Sequence, residues 1–263
     1  MRPLAIDLFC GLGGWTDGLL AEGYAVYGFD IERHQYWVPN EDHDRNDGSK
    51  GTRPVAKRGW TQGCAVSLGM EGANAKPRTR LMEYPAQLVI QDVLTLHGKQ
   101  FKDAALIVAS PPCQAYSYRA MPWKRAKALP PPDNSLFDAC FRIQREACEA
   151  AGRHIPLIVE NVRGAQKWVG RSRWNFGSFH LWGDVPALMP IGGATKLGTW
   201  EWDCKDSAQA RLRNSDEWFN GSATSIARHG SKSKARKAAS AKIAKIPFPL
   251  AQYIARTFKP NAV

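Results

Sequence analysis

Two short segments of the chain combine residue types that could carry out covalent chemistry. Ser110-Pro111-Pro112-Cys113-Gln114 presents a thiol directly after an apolar run, and its two prolines stiffen the backbone around it. Val159-Glu160-Asn161-Val162 places a carboxyl group at the end of another apolar run. A lone cysteine is usually buried and inert, but a Pro-Pro-Cys-Gln sequence is unlike the composition of a core. A nucleophilic Cys113 beside a proton-donating Glu160 would suit addition to an electron-poor ring.

A glycine-rich turn, Cys10-Gly11-Leu12-Gly13-Gly14, is the second candidate site. Glycines let the backbone approach a ligand closely, but their spacing differs from the G-x-G-x-x-G pattern of dinucleotide-binding proteins, and no phosphate-binding Gly-Lys-Ser follows. Asp30 and Asp92 each follow a later apolar run and could accept hydrogen bonds from ribose hydroxyls and from an adenine amino group. We therefore predict a nucleoside cofactor without a pyrophosphate. A tight turn without a ligand, and a helix cap at Asp30, are the alternatives.

The elements that must position these residues can be predicted from hydrophobic periodicity. Apolar runs predict five strands, and helical spacing predicts helices over Trp15–Glu22, Ser135–Ala151 and Pro247–Phe258. Strands that alternate with helices or loops predict an α/β fold with an open, doubly wound, Rossmann-like sheet, whose ligands bind at the carboxyl edge. The predicted strands are Leu4–Phe9, Tyr24–Phe29, Gln87–Ile90, Ala104–Ala109 and Pro156–Val159.

Three segments, DLFCGLGGW, SPPCQAYS and VENV, occur in the chain in this order and resemble the signature segments of the cytosine-C5 DNA methyltransferases. The resemblance covers Leu4 to about Leu188, interrupted by residues 34–85, and more loosely the last helix. It implies S-adenosylmethionine as cofactor and double-stranded DNA as partner. It also implies that Cys113 adds covalently to a flipped cytosine and that Glu160 is its acid partner.

The resemblance further implies sets of binding residues, with Arg171 and Arg173 beside the cytosine; contact with surface phosphates is the alternative for this pair. The family's polar segment before the last helix is replaced here by Ile243-Ala244-Lys245-Ile246-Pro247, and we expect Lys245 to face solvent or a DNA phosphate. The expected cofactor-binding residues are Asp7, Phe9, Cys10, Gly11, Gly13, Gly14, Trp15, Asp30, Ile31, Asp92, Val93 and Pro112. The expected substrate-binding residues are Ser110, Pro111, Gln114, Asn161, Val162, Lys232, Lys234, Arg236 and Lys237.

The predicted organisation is a catalytic domain over residues 1–190 with an irregular insertion at 34–86, a small target-recognition region at 191–242, and a C-terminal helix at 243–263 that returns to the catalytic domain. In the insertion, Asp42–Gly48 faintly resembles a calcium loop, but its glycine falls one place late and Arg53 occupies the closing position, so no metal site is predicted. The recognition region and the basic block that ends at Lys245 offer candidate wedges, groove readers and phosphate contacts: Trp200, Trp202, Trp218, Phe219, Arg211, Arg213 and Arg228–Lys245. The tryptophans could instead form a small local core.

Composition narrows the class of partner. Lys and Arg number 36 against 24 Asp and Glu, and the resulting charge of +12 favours a polyanion, with nucleic acid ahead of an acidic membrane surface. No run approaches about 20 apolar residues, no signal peptide is evident, and the six cysteines contain no C-x-x-C pair. We expect a monomer with free thiols in the cytoplasm of a bacterium or a phage-infected host. The alternatives are a tRNA cytosine-C5 methyltransferase, a nucleic-acid-binding homologue without catalysis and a Rossmann oxidoreductase.

Overall fold

The computed structural model describes residues 2–39, 79–116, 130–189, 237, 241 and 244–260. The chain divides into two compact units, the first formed by Met1–Tyr36 and Glu83–Val263 and the second by Trp37–Met82. The strands are β1 Leu4–Leu8, β2 Ala25–Asp30, β3 Tyr36–Pro39, β4 Thr79–Met82, β5 Gln87–Ile90, β6 Ala104–Ala109, β7 Leu157–Asn161, β8 Trp174–Phe176 and β9 Phe179–Gly183. The α-helices are α1 Gly14–Ala21, α2 Ser135–Ala151, α3 Gln166–Val169 and α4 Phe248–Thr257.

A seven-stranded sheet has the order β5-β2-β1-β6-β7-β9-β8. The first five strands are parallel, whereas β9 runs antiparallel to β7 and pairs with β8 in a hairpin. The strand order reverses between β1 and β6, which is where a doubly wound sheet opens a crevice at its carboxyl edge. The predicted α/β class and doubly wound sheet are confirmed. A separate two-stranded sheet is formed by β3 and β4.

The core has two layers because both faces of the central strands are apolar. On one face Ile107 and Leu157 pack in a cluster with Ile143 of α2, and on the other face Leu106 and Ile158 pack with α1 and α4. These four strand residues are fully buried, as expected for parallel strands covered by helices on both sides.

The last helix docks closely on the first. A Cβ at Gly18 of α1 would lie 2.4 Å from the backbone carbon of Ala251, so only glycine permits this approach. The hydroxyl of Tyr24 donates to the Ala255 carbonyl at 2.9 Å. The apolar face of this helix is buried: Leu250 and Ile254 are fully buried, and Phe258 at its end is partly buried.

The β8–β9 hairpin was not predicted. Its two strands have three and five residues, and Gly177 at φ 60 occupies the turn between them. The hairpin adds two antiparallel strands beyond β7, so Glu160 of β7 lies opposite Leu181 of β9.

Candidate active site

The glycine turn joins β1 to α1 at the carboxyl edge of the sheet. Gly11 and Gly13 adopt positive φ angles of 50° and 72°, and Phe9 does so at 58° although it is not a glycine. A non-glycine residue in this region is strained and is typical of functional turns. The Gly13 N–H donates to the Cys10 carbonyl at 2.7 Å, which closes the turn.

A cavity of about 370 Å³ lies over this turn, at the point where the strand order reverses. It includes all the predicted cofactor-binding residues except Asp7 and Gly13, and a Cβ at Gly11 would meet nothing within 4 Å, so the turn leaves open space there. Its volume is within the usual range for small-molecule sites. The cavity is lined by Phe9, Cys10, Gly11, Leu12, Gly14, Trp15, Asp30, Ile31, Glu32, His34, Asp92, Val93, Ser110, Pro112, Gln114, Leu136, Ala241, Ala244, Lys245 and Ile246.

Asp30 supplies a fixed carboxylate to this cavity. Its Oδ2 accepts a hydrogen bond from the Gly11 N–H at 2.9 Å, and its Oδ1 lies 3.4 Å from His34 Nε2. Burial alone would raise the pKa of Asp30, but the hydrogen bonds from His34 and Gly11 outweigh burial and hold it below the usual range. The ionised carboxylate can therefore accept further hydrogen bonds from ligand hydroxyls. Beside it, Ile31 is 71% exposed and offers an apolar surface to a flat ring.

Asp92 and Val93 form another wall of the cavity. Asp92 caps a single 3-10 turn by accepting from the Leu94 N–H at 2.9 Å, and Val93 is buried beneath it. The cap orients the carboxyl group without using all its acceptor positions.

Asp7 lies beneath the turn instead of on the cavity wall, which corrects its expected place among the cofactor contacts. Its side chain points from β1 toward α1, where Thr16 Oγ1 donates to Oδ2 at 2.6 Å, and Oδ1 has no hydrogen-bond partner among the described residues. When Asp7 is ionised, the single Thr16 proton goes to Asp7, and the Tyr84 hydroxyl then donates to Thr16 across their 2.7 Å contact. Burial raises the pKa of Asp7 to about 7, against the lowering effect of the Thr16 hydrogen bond.

Tyr84 and Pro85 support the turn from below. A Cβ at Gly13 would lie 2.4 Å from the Pro85 ring, and a Cβ at Gly28 would lie 2.3 Å from the Tyr84 ring. Gly13 therefore packs against protein, which explains why it does not line the cavity.

Lys245 meets a protein carboxylate, which corrects the expectation that it faces solvent or DNA. Its Nζ lies 2.7 Å from Asp17 Oδ2 at the first turn of α1. The next residue, Ile246, has its backbone nitrogen 2.3 Å from where a Cβ of Gly14 would be. The segment before α4 therefore closes one side of the cavity.

The Cys113 loop follows β6 and is attached to its neighbours on both sides. Ser110 Oγ accepts from the indole N–H of Trp15 at 3.0 Å, which joins the loop to the glycine turn. Asn161 Nδ2 donates to the Pro111 carbonyl at 3.0 Å, which joins it to the end of β7. Cys113 is half-buried and does not itself line the cavity, unlike Ser110.

Glu160 is buried at the carboxyl end of β7, one residue before Asn161. Ala109 pairs with Val159, so the Cys113 loop leaves β6 beside Glu160. Of the other predicted substrate contacts, Asn161 is fully buried and Val162 is half-buried against the core.

Arg171 and Arg173 do not line the cofactor cavity. Both line a different cavity, of about 480 Å³, on the side of the sheet covered by α2. The physical reason is strand alternation: Trp174 and Glu160 both lie opposite Leu181 and share its face, so the preceding residue, Arg173, is on the other face, that of Trp182.

Several predicted nucleic-acid contacts lie outside the described residues. Lys237 is described; it is exposed, and its charge lowers the pKa of His34, whose net pKa is nevertheless raised mainly by the hydrogen bond to Asp30. The residues named in the sequence analysis that lie outside the described residues are Asp42–Gly48, Arg53, Trp200, Trp202, Arg211, Arg213, Trp218, Phe219, Lys232, Lys234 and Arg236.

Sequence reasoning missed four residues whose polar side chains hold the site together: Thr16, Tyr84, His34 and Asp17. Thr16 interrupts the apolar face of α1, and that polar interruption was the available signal. His34 follows Asp30 by four residues, but nothing local indicates their contact.

Within the residues that the structure describes, no group of three or more His, Cys, Asp or Glu side chains could hold a metal ion. In the same residues no helix is long and apolar enough to cross a membrane.

Comparisons with known proteins give weak similarity. No protein-family model and no curated protein matches the chain. A solved DNA modification methyltransferase encoded within a prophage (E. coli) is 20% identical, with 64% of this chain and 34% of that chain covered and a TM-score of 0.33. The Dnmt2 methyltransferase of S. pombe is 17% identical, with 64% and 36% covered and a TM-score of 0.31. A mutant of Spodoptera frugiperda DNMT2 is 14% identical, with 63% and 37% covered and a TM-score of 0.30. The chain thus spans little more than a third of each of these proteins, and similarity of this size carries no argument about function.

Proposed function

We propose that this protein is an S-adenosylmethionine-dependent methyltransferase that acts on C5 of cytosine in DNA. The observation that carries the proposal is the attachment of the Cys113 loop to both neighbours: Ser110 bonds to Trp15 of the cofactor cavity, and Pro111 bonds to Asn161 beside Glu160. A cavity suited to a nucleoside, a thiol and a buried carboxyl group are thereby held at one edge of the sheet.

The cavity residues fit S-adenosylmethionine. The open space at Gly11 leaves room beside the backbone, the ionised Asp30 can accept hydrogen bonds from the ribose hydroxyls, and the exposed Ile31 can pack on the adenine ring. Asp92 can accept from the adenine amino group. The absence of a phosphate-binding lysine or a G-x-G-x-x-G turn favours this cofactor over a dinucleotide. When bound, it supplies an electrophilic methyl group on a sulfonium.

The proposed role of Cys113 is nucleophilic. C5 of cytosine is a poor nucleophile, and addition of the Cys113 thiolate to C6 forms an S–C6 bond and moves the C5–C6 electron pair toward C5 and N3. Glu160 donates a proton to N3 and accepts from the exocyclic amine, which stabilises the enamine-like ring. After methylation, loss of the C5 proton to solvent water restores the C5–C6 double bond and releases the thiolate, and N3 returns its proton to Glu160. The base must leave the duplex stack to reach Cys113, at a cost of a few kcal/mol.

The test is methyl transfer from labelled S-adenosylmethionine to duplex DNA and, in parallel, to transfer RNA, followed by nucleoside analysis. We expect 5-methylcytosine in DNA. Label found only in transfer RNA would mean that transfer RNA, and not DNA, is the substrate. Cofactor binding without any methylated nucleoside would favour a nucleic-acid-binding homologue. DNA that contains 5-fluorocytosine should trap a covalent complex, because fluorine cannot leave C5 as a proton; no trapping on methylatable DNA would contradict the covalent step.

A further inference from the structure

A groove on the α2 side of the sheet, here called the arginine groove, is formed by Arg145, Arg171 and Arg173 above Phe141 and Trp182. Its volume is about 480 Å³, and it shares no residue with the cofactor cavity. Arg145 comes from α2, whereas the other two arginines precede β8. Elements distant in sequence therefore place three guanidinium groups around one groove.

The three arginines of this groove are not paired with acidic side chains within the described part of the protein. All three arginines are exposed, and none forms an ion pair with another described side chain. By contrast, the neighbouring Arg142 on the same helix forms an ion pair with Glu146 at 3.1 Å. The arginines of the groove therefore differ from Arg142 in that no described acidic side chain is paired with them.

Asp184 is a carboxylate that lines the groove, but both its oxygens contact groups other than the three arginines. Its Oδ2 accepts from Gln144 Nε2 at 2.7 Å and from the Leu157 N–H at 2.9 Å. Its Oδ1 lies 3.2 Å from His154 Nε2. Asp184 thus secures the groove to α2 and β7 and leaves the arginine forks for an external anion.

The chemistry of the groove matches a phosphodiester. Guanidinium forks bind phosphate oxygens in bidentate fashion, whereas Trp182 is only 5% exposed and its N–H is used by the Gly170 carbonyl, so the indole cannot stack on a base. Exposed arginines around an open groove suit a long backbone that passes over the surface, and the chain's charge of +12 favours such a polyanion.

We propose that the arginine groove binds the phosphate backbone of nucleic acid, as a contact surface separate from the cofactor cavity. This inference rests on the proposed nucleic-acid substrate. The groove positions the nucleic acid without reading its sequence, and its contribution is therefore electrostatic and sensitive to salt.

The test compares wild type with R145Q/R171Q/R173Q in duplex DNA binding, measured by fluorescence anisotropy from about 50 mM to about 200 mM salt. Each lost phosphate contact flattens the plot of log affinity against log salt by about 0.9, so we expect the slope to fall by about 2 to 3 and affinity at low salt to fall at least about tenfold. Each single variant should flatten the slope by about 1.

The matched control is K99Q/K102Q/K259Q, which removes the same charge from exposed side chains outside both sites. A control slope that falls as much as that of the arginine variant would overturn the proposal, and so would an unchanged slope in the arginine variant. Titration with S-adenosylmethionine should give the same affinity in all three proteins, which shows that the variants are folded. If inorganic tripolyphosphate requires the arginines but DNA does not, the ligand is a free polyphosphate and the nucleic-acid assignment is wrong.

The two proposals can fail separately. If wild type methylates DNA and the arginine variant keeps the wild-type salt slope, only the proposal for the arginine groove is wrong. If wild type binds DNA through the arginines but methylates no nucleic acid, only the proposed methyltransferase activity is wrong.

Discussion

The cofactor cavity and the arginine groove are built in opposite ways. Around the cavity, polar groups form hydrogen bonds with one another: Asp30 accepts from Gly11 and contacts His34, Thr16 joins Asp7 to Tyr84, and Trp15 donates to Ser110. Around the groove, the three arginines are exposed and lack ion-pair partners among the described residues. A preorganised cavity selects a ligand by shape and hydrogen bonding, whereas an exposed cationic surface holds a polyanion by charge. The cavity should therefore respond to side-chain identity and pH, and the groove to the number of charges and to salt.

The largest expected effect is on the rate of methyl transfer and comes from Cys113, which belongs to neither the cavity nor the groove. On the proposed mechanism, Cys113→Ala removes the nucleophile and should abolish methyl transfer, a loss of at least about 10³-fold. Because Cys113 lines neither the cavity nor the groove, cofactor affinity and the salt slope of DNA binding should stay at wild-type values. Single-turnover transfer and equilibrium titrations measure the three quantities. Appreciable turnover by the alanine variant would remove Cys113 from the chemistry.

The next largest effect is expected at Glu160, which is on β7 between the two regions. Glu160→Gln cannot supply a proton to N3, and general acid assistance contributes about 10² to 10⁴, so kcat should fall about 100-fold or more. The amide keeps the size of the side chain in its buried position. DNA binding should retain its salt slope because Glu160 faces away from the groove. A near-normal rate would make Glu160 a structural residue.

The sequence predicted the cavity better than the groove, for a physical reason. The strands Gln87–Ile90 and Ala104–Ala109 and the helix Ser135–Ala151 were predicted at their observed bounds, because each is a continuous apolar run or a long periodic segment. The residues that follow parallel strands meet at one edge of the sheet, so Asp30 and Ser110 could be brought together from strand ends alone.

Contacts that depend on register or on distant segments could not be predicted in this way. The face on which Arg173 lies is set by the register of the short β8–β9 hairpin, and a shift of one residue would reverse it. Tyr84 bonds to Thr16 across 68 positions, and Lys245 pairs with Asp17 from the other end of the chain. The sequence around each of these residues contains no pattern that indicates its distant partner.

A moderate effect on ligand affinity is expected at Asp30. Asp30→Ala removes the carboxylate that would accept the ribose hydroxyls and also frees the Gly11 N–H. A hydrogen bond to a charged group contributes about 1.5 to 3 kcal/mol, so the KM for S-adenosylmethionine should rise at least about tenfold, with kcat changed much less. Asp103→Asn is the matched control, since Asp103 is exposed and outside the cavity. Cofactor affinity that does not change in Asp30→Ala would reduce Asp30 to a cap of the turn.

The smallest expected effect is a pH dependence of stability that arises under the cavity. Burial raises the pKa of Asp7 to about 7 in the folded protein, from the ordinary aspartate value of 3.8. The folded state therefore binds the proton more tightly than the unfolded state, and this stabilisation is complete below the unfolded pKa and is lost as pH rises through about 7. Between about pH 6 and about pH 8 the loss from this group is about 1 kcal/mol, which corresponds to a decrease in Tm of about 2 to 4 °C.

Asp7→Asn isolates that contribution. Its amide oxygen can still accept from Thr16, and its side chain does not ionise, so the variant should lose less stability than wild type between the two pH values. His34 has a raised pKa and titrates in the same direction, mainly through its hydrogen bond to Asp30, but it is present in both proteins and cancels in the difference. Thermal unfolding of both proteins across this pH range, with R171Q as a control from the groove, measures the effect. If Asp7→Asn and wild type lose equal stability, Asp7 is ionised throughout the range. If R171Q flattens the pH dependence as Asp7→Asn does, the contrast between a pH-sensitive cavity and a salt-sensitive groove fails.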